Sequence, residues 1–250
     1  MTANHTRIRT LLLAFATILA ATILLNGTAM AASKQDVPET TPEGLKLFKN
    51  EKHRLVYLAD DVDFGVYSKV YIVDAAVAFA KNWQRDYNRQ ERDLSRKVSD
   101  KDVERIKTGL SAEFKKVFTQ TMIDNGLEVV TELGPDVVVL RPAIINLVVN
   151  APDIQGTSRS YTYTADAGQM TLYLEVYDGV SGALLAEVMD AKSARRTAPN
   201  MTYSTRTTNI QEADRMLKSW ANEIASHFNT AKTADAERDA AAETEQATEG

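Results

Sequence analysis

A chain of 250 residues, 44% of them hydrophobic and 25% charged, has the composition of an ordinary globular protein and enough apolar material for one large or two small domains. It contains no cysteine, which excludes disulfides, thiolate metal sites and cysteine peptidase chemistry. Its formal charge of −5 argues against nonspecific binding to nucleic acid or anionic lipid, both of which need clustered positive charge.

The first 31 residues read as a leader and not as part of the fold. Arg7 and Arg9 form a basic start, Leu11 to Leu25 is apolar, and Ala29-Met30-Ala31 is a small-residue cleavage site. The apolar run is shorter than the roughly 20 residues that span a bilayer. The expectation is cleavage after Ala31 and release into the periplasm as a soluble protein with no stable membrane anchor. Without Arg7 and Arg9 the chain would carry 27 basic and 34 acidic residues, a formal charge of −7. Residues 32–52, polar and holding Pro38 and Pro42, read as an N-terminal extension; 53–231 as a single domain; and 232–250, which has no bulky apolar residue, as a disordered acidic tail.

Within the domain, Arg54 to Leu58 is a short strand. Asp60-Asp61-Val62-Asp63 lacks the ligand order of a calcium loop and reads as a solvated acidic loop. Ser68 to Ala80 reads as a strand with Asp74 inside it, and Gln84 to Ser99 as a charged surface loop or frayed helix. Val103, Ile106, Leu110, Phe114, Val117 and Thr121 recur at spacings of three and four, which predicts an amphipathic helix over 100–125. Ser99 is its N-cap, and Asn125-Gly126-Leu127 a left-handed C-cap with its hydrophobic contact. Leu127 to Thr131, Val137 to Leu140 and Ile144 to Val149 are strands, with Pro142 marking a bulge, an edge or a join. Tyr161 and Tyr163 alternate with threonines. Gly168 to Asp178 and Ala183 to Lys192 form a hairpin, in which Met170, Leu172, Leu174 and Val176 face the core while Thr171, Tyr173, Glu175 and Tyr177 face out. Residues 194–208 read as an exposed connection. A second amphipathic helix starts near Thr208, with Ile210, Ala213, Leu217, Trp220, Ile224 and Phe228 in its stripe. This order predicts an α+β fold: a mostly antiparallel sheet of five to seven strands with two amphipathic helices packed on one face.

Thr41-Pro-Glu-Gly-Leu45, Ser68-Lys-Val-Tyr-Ile-Val-Asp74, Gly134-Pro-Asp-Val-Val-Val-Leu140, Asn150-Ala-Pro-Asp153, Gly168-Gln-Met-Thr-Leu172, Ser181-Gly-Ala-Leu-Leu-Ala186 and Leu217-Lys-Ser-Trp-Ala221 stand in a characteristic order. Together they resemble an uncharacterised family of exported bacterial envelope proteins, often lipoproteins, classed as a domain of unknown function. The resemblance covers about residues 41 to 229. It implies an envelope location and brings no catalytic residues with it. This chain lacks the lipid-attachment cysteine of many relatives.

The chemistry-bearing residues are few. His5 leaves with the leader, and His53 and His227 are too sparse for a histidine metal site; His227 reads as a surface histidine at a helix end. Gly156-Thr-Ser158 lacks the strand–turn–helix frame of a nucleophile elbow. Asp166, Glu175, Asp178, Glu187 and Asp190 lie near the hairpin and read as outward charges. A hydrolase would need two of them convergent in a cleft. The expectation is no catalytic set, no metal and no cofactor, with Tyr161, Tyr163, Tyr173 and Tyr177 as a candidate binding face for an envelope protein or polymer. Two roles remain open: a non-enzymatic binding or envelope-support module, and a carboxylate-dependent hydrolase such as a carbohydrate-active enzyme. A shallow face or apolar groove favours the first, and a deep cleft with paired carboxylates the second.

Overall fold

The computed structural model of the chain describes residues 37–150, 162–164, 168–194, 202–204 and 206–249. The leader, Tyr161, Asp166 and Gly156–Ser158 lie outside them. In chain order the elements are β1 (Lys46–Glu51), β2 (Arg54–Leu58), β3 (Lys69–Ile72), β4 (Ala76–Phe79), α1 (Trp83–Gln90), a 3-10 turn (Leu94–Arg96), α2 (Asp100–Asp124), β5 (Glu128–Val129), β6 (Val137–Val149), β7 (Thr162–Thr164), β8 (Gly168–Asp178), β9 (Leu184–Ser193), β10 (Thr202–Ser204) and α3 (Arg206–Glu249).

Eight strands form one open sheet in the order β1-β2-β9-β8-β6-β3-β5, with β4 also paired to β6. The pairs β1–β2, β2–β9, β8–β9 and β6–β8 are antiparallel, whereas β3–β6, β4–β6 and β3–β5 are parallel. The α+β class is as expected, and most of the pairing is antiparallel as expected, but the sheet is mixed, with three short parallel pairs. The reason is connectivity. After β4 the chain climbs through α1 and α2 before returning as β5 and β6, and a helical crossover is what parallel neighbours require. β7 and β10 pair with each other in a separate two-stranded sheet.

β3 and β4 lie end to end along the long strand β6: Ile72 pairs with Leu140 and Ala76 with Ala143. Pro142, which cannot donate to a ladder, sits at the gap where β3 has ended and β4 has not begun. Further along, β6 shifts register between Ile145 and Val148, and Asn146 there has φ of 53°. Gly168 opens β8 at φ 137°, where a Cβ would stand 2.5 Å from the Val148 carbonyl, so only glycine fits the pairing.

Ser99 caps α2 in a reciprocal box with Asp102. At its far end, Gly126 N donates to Ile123 O at 2.9 Å and Leu127 N to Met122 O at 3.0 Å, with Gly126 at φ 81° and Leu127 buried. This is the predicted left-handed cap, closed as a Schellman motif. Phe114, Val117, Phe118 and Met122 of α2 and Leu217, Trp220, Ala221, Ala225 and Phe228 of α3 share one core with Val138, Leu140, Ile144, Met170, Leu172, Leu174 and Val176. Both helices therefore cover the same sheet face.

Two boundaries differ from the sequence reading. β1 falls within the expected extension, because Lys46 to Glu51 alternates enough to pair with β2. α3 continues to Glu249 through the segment expected to be disordered, where alanine, glutamate and glutamine favour helix even with nothing to bury.

Candidate functional site

The hairpin register sets two faces with different chemistry. On the face away from the helices, Tyr173 lies between Ala143 and Met189, and Glu175 between Arg141 and Glu187. Glu175 and Glu187 are thus a like-charge cross-strand pair, normally destabilising. Tyr173 Oη bridges them, 3.0 Å from Glu187 Oε1 and 3.3 Å from Glu175 Oε1. With one proton it can donate to only one carboxylate at a time. Burial, followed by the charge of Glu175 and Glu187, raises the Tyr173 hydroxyl far above the ordinary tyrosine value. Burial also holds the Glu187 carboxyl above its ordinary value. Arg141 Nε reaches Glu175 Oε2 at 3.0 Å, and its guanidinium lies 5.8 Å from the Tyr177 ring centroid. Burial pushes Tyr177 up to about 12.

Tyr173 and Tyr177 are therefore half-buried members of a polar network rather than free aromatic surface. Tyr163 belongs to β7, which pairs with β10 and not with the main sheet. Asp178 turns the hairpin: its Oδ1 accepts from Ser181 N at 2.6 Å and Val180 N at 3.1 Å.

The helix-covered face holds a site that the sequence did not announce. Three strands in register present three inward residues each: Arg54, Val56 and Leu58 on β2, Asp190, Val188 and Ala186 on β9, and Leu172, Leu174 and Val176 on β8. The rows run Arg54–Asp190–Leu172, Val56–Val188–Leu174 and Leu58–Ala186–Val176, and span roughly 13 Å along the strands. Trp220, Glu223, Ile224, His227 and Phe228 of α3 cover them at helical spacing. Between the layers is a cavity of about 230 Å³. Phe64 and Phe228, edge to face at 5.6 Å, wall its apolar part. At the rim stands Phe48, 70% exposed; the register shift between Leu47 and Lys49 makes it the bulged residue of β1.

One end of the cavity is charged. Arg54 Nη2 donates to Asp190 Oδ2 at 2.8 Å and to Glu223 Oε2. Trp220 Nε1 donates to Asp190 Oδ2 at 2.9 Å. Lys192 Nζ reaches Ser219 Oγ at 2.5 Å and Glu223 Oε1 at 3.3 Å. Asp190, expected to face outward, is only 5% exposed. It continues the inward series of Ala186 and Val188, and that period of two was the available signal for a buried, partnered acid. His227, expected at a helix end, sits inside α3 and is exposed at the cavity rim.

Of the acids near the hairpin, Glu175 and Glu187 come together on the sheet face away from the helices, where Glu175, expected to be an outward charge, is buried beneath Arg141 and Tyr173; Asp178 caps a turn, and Asp190 lies on the other side of the sheet. Among the described residues no three histidine, aspartate or glutamate side chains converge as metal ligands, and no helix is long and apolar enough to cross a membrane.

The family described as "Protein of unknown function (DUF3313)" matches residues 43–224. No curated protein matches the chain. Among solved structures, the chain is similar to the PelC dodecamer from Paraburkholderia phytofirmans, at 10% identity and a TM-score of 0.36 over 70% of this chain and 96% of that one. It is similar to a minor lipoprotein from Acinetobacter baumannii, at 12% identity and a TM-score of 0.31 over 66% and 94%. A third is a DUF4136 family protein from Bacteroides thetaiotaomicron, at 10% identity and a TM-score of 0.31 over 71% and 98%.

Proposed function

Because the chain belongs to the family described as protein of unknown function (DUF3313), a description that assigns no activity, we propose a role from the site itself: an exported, non-enzymatic binding module of the cell envelope that holds one apolar group beneath α3. The observation that carries this reading is the cavity of about 230 Å³ between α3 and the β2–β9–β8 rows. Protein interiors are close-packed and leave few voids larger than a water molecule. A cavity of about 150 Å³ accommodates benzene, and drug-sized pockets begin near 300 Å³. This one lies between, with room for one hydrocarbon segment or one large side chain and not for a polymer.

The charges at the cavity's end favour binding over hydrolysis. Asp190 and Glu223 both accept from Arg54, so each carboxylate is compensated. Acid–base hydrolysis instead needs one carboxyl kept protonated opposite an ionised partner. Export rests on the leader, with its basic start, short apolar run and Ala29-Met30-Ala31 site.

Two experiments test the reading. Protein recovered from the periplasm should begin at Ala32, and recovery only in membranes with Met1 intact would overturn export. A fluorescent apolar dye such as N-phenylnaphthylamine should bind the parent protein. Val188→Trp, which fills the middle row, should abolish that binding while a cooperative melt is kept. Equal dye binding by the folded variant would overturn the cavity as the site.

A further inference from the structure

We propose that the occupant is a fatty acid, its chain laid along the apolar rows and its carboxylate on one unengaged donor edge of Arg54. This rests on the cavity being a binding site and adds the ligand's chemistry. A guanidinium carries five N–H donors. In Arg54 a single nitrogen, Nη2, serves both Asp190 and Glu223. Its Nε–H and its Nη1 amino group have no protein partner among the described residues; the side chain lines the cavity and is 22% exposed, so these donors are open to water or to a ligand. Donors held in place at the end of an apolar cavity, and engaged by no protein acceptor, match a ligand with an acceptor at the end of an apolar body. Hydrogen bonds from a cation to an ionised acceptor are about twice as strong as neutral ones, which selects a carboxylate over a hydroxyl.

The charges around that end are Arg54, Lys49 and Lys192 against Asp190, Glu223 and Glu51. They balance, so net charge does not attract an anion, and the discrimination lies in the directed donors. The two acids on Arg54 are not equivalent. Asp190 is buried and also held by Trp220, whereas the Glu223 side chain is 40% exposed. Glu223 can turn toward solvent and Lys192 when a ligand carboxylate arrives, and Asp190 stays. Across the rows the inward strand residues become wholly apolar, and with His227 at the exposed rim the far wall is Phe64 and Phe228, where a methyl terminus fits. Phe48 at the rim offers aromatic surface to an entering chain.

The test uses the protein's own fluorescence. The chain has two tryptophans, Trp83 and Trp220; Trp83→Phe leaves only the one that lines the cavity. That protein is titrated with laurate, dodecanol and dodecylamine below their aggregation limits. Laurate should bind about tenfold tighter than dodecanol, and dodecylamine more weakly than either. Arg54→Lys, which keeps a cation beside Asp190 but leaves at most one of its three donors spare, should weaken laurate several-fold and so narrow its preference over dodecanol, without weakening dodecanol. Should Arg54→Lys fail to fold, Glu223→Gln serves instead: a weaker competitor for Arg54 should tighten laurate several-fold and leave dodecanol unchanged. Dodecanol or dodecylamine matching laurate, or laurate unmoved in the folded Arg54→Lys or Glu223→Gln protein, would overturn the carboxylate assignment while leaving the apolar cavity intact. No binding of any of the three, together with dye binding that ignores Val188→Trp, would remove the binding reading as well.

Discussion

Arg54→Met is the sharpest test of how the charged end of the cavity is held. Methionine keeps most of the aliphatic packing on the inward face of β2 and removes the charge. Asp190, 5% exposed, then loses its bond at 2.8 Å and keeps Trp220 Nε1 at 2.9 Å and Lys192 Nζ at 3.9 Å. Removing one partner of a buried ion pair ordinarily costs about 3–5 kcal/mol. Lys192 offsets part of this, since a cation near 4 Å is worth up to about 4 kcal/mol at an effective dielectric constant of about 20. It is shared with Glu223 and Ser219, so the compensation is partial. The expected loss is about 2–3 kcal/mol, which for a domain of this size lowers Tm by about 5–10 °C. The double variant Arg54→Met/Asp190→Leu should recover at least half of that loss, because an apolar replacement of a buried pair is often neutral. Urea titration followed by circular dichroism reads both quantities. A loss under about 1 kcal/mol for Arg54→Met, or a double variant less stable than the single one, would refute the reasoning: Asp190 would then not depend on Arg54 for its charge.

Phe114, fully buried and stacked on Phe118 at 3.8 Å, should cost about 3–5 kcal/mol on replacement by alanine, read by the same titration. Glu187 is protonated more readily in the folded chain than in the unfolded one. Its stabilising contribution is therefore complete below the unfolded glutamate value of about 4.3 and is lost as pH rises through the higher folded value. Glu187→Gln should raise Tm at neutral pH relative to the parent and flatten the decline above that value; thermal melts across the range check it, and an unchanged profile would clear Glu187 of the effect. Tyr173→Ser/Tyr177→Ser removes the hydroxyl between Glu175 and Glu187 and the ring beneath Arg141. It should destabilise by about 2 kcal/mol or more, as half-buried aromatics do and exposed ones do not; denaturant midpoints indistinguishable from the parent would mean that the tyrosines are mere surface.

The elements that the sequence disclosed are those whose signals are local. Ser99 and Asp102, Asn125-Gly126-Leu127 and the apolar stripe through Phe114 are contained within α2 and its caps, and the structure realises them residue for residue. The hairpin likewise carries its own turn in Asp178 and its own alternation in Met170 to Tyr177. Period tells which face of a strand is buried but not which strand lies beside it. The parallel pairing of β3 and β4 with β6 was invisible for that reason, although the helix between them was plain. The helix of the tail follows from propensity and not from burial, which is the signal that the apolar pattern carries. At the site, Asp190 could have been recognised as inward from its place after Ala186 and Val188. Its partner Arg54 lies 136 residues earlier in the chain, and only the β2–β9 register brings the two together.

The sheet's edges carry a consequence for how this protein can meet others. β5 at one end has two residues, and the neighbouring rim is split into β3 and β4, each of four. β1 at the other end has six, interrupted by the bulge at Phe48 and flanked there by Lys46 and Lys49. Short, kinked and charged margins are how open sheets avoid growing by the addition of foreign strands. Among the described residues of the main sheet, a second copy or an extended peptide finds no long flat run of unpaired amides and carbonyls on which to lay its backbone. On the binding role proposed above, recognition would fall to side chains and to the space beneath α3.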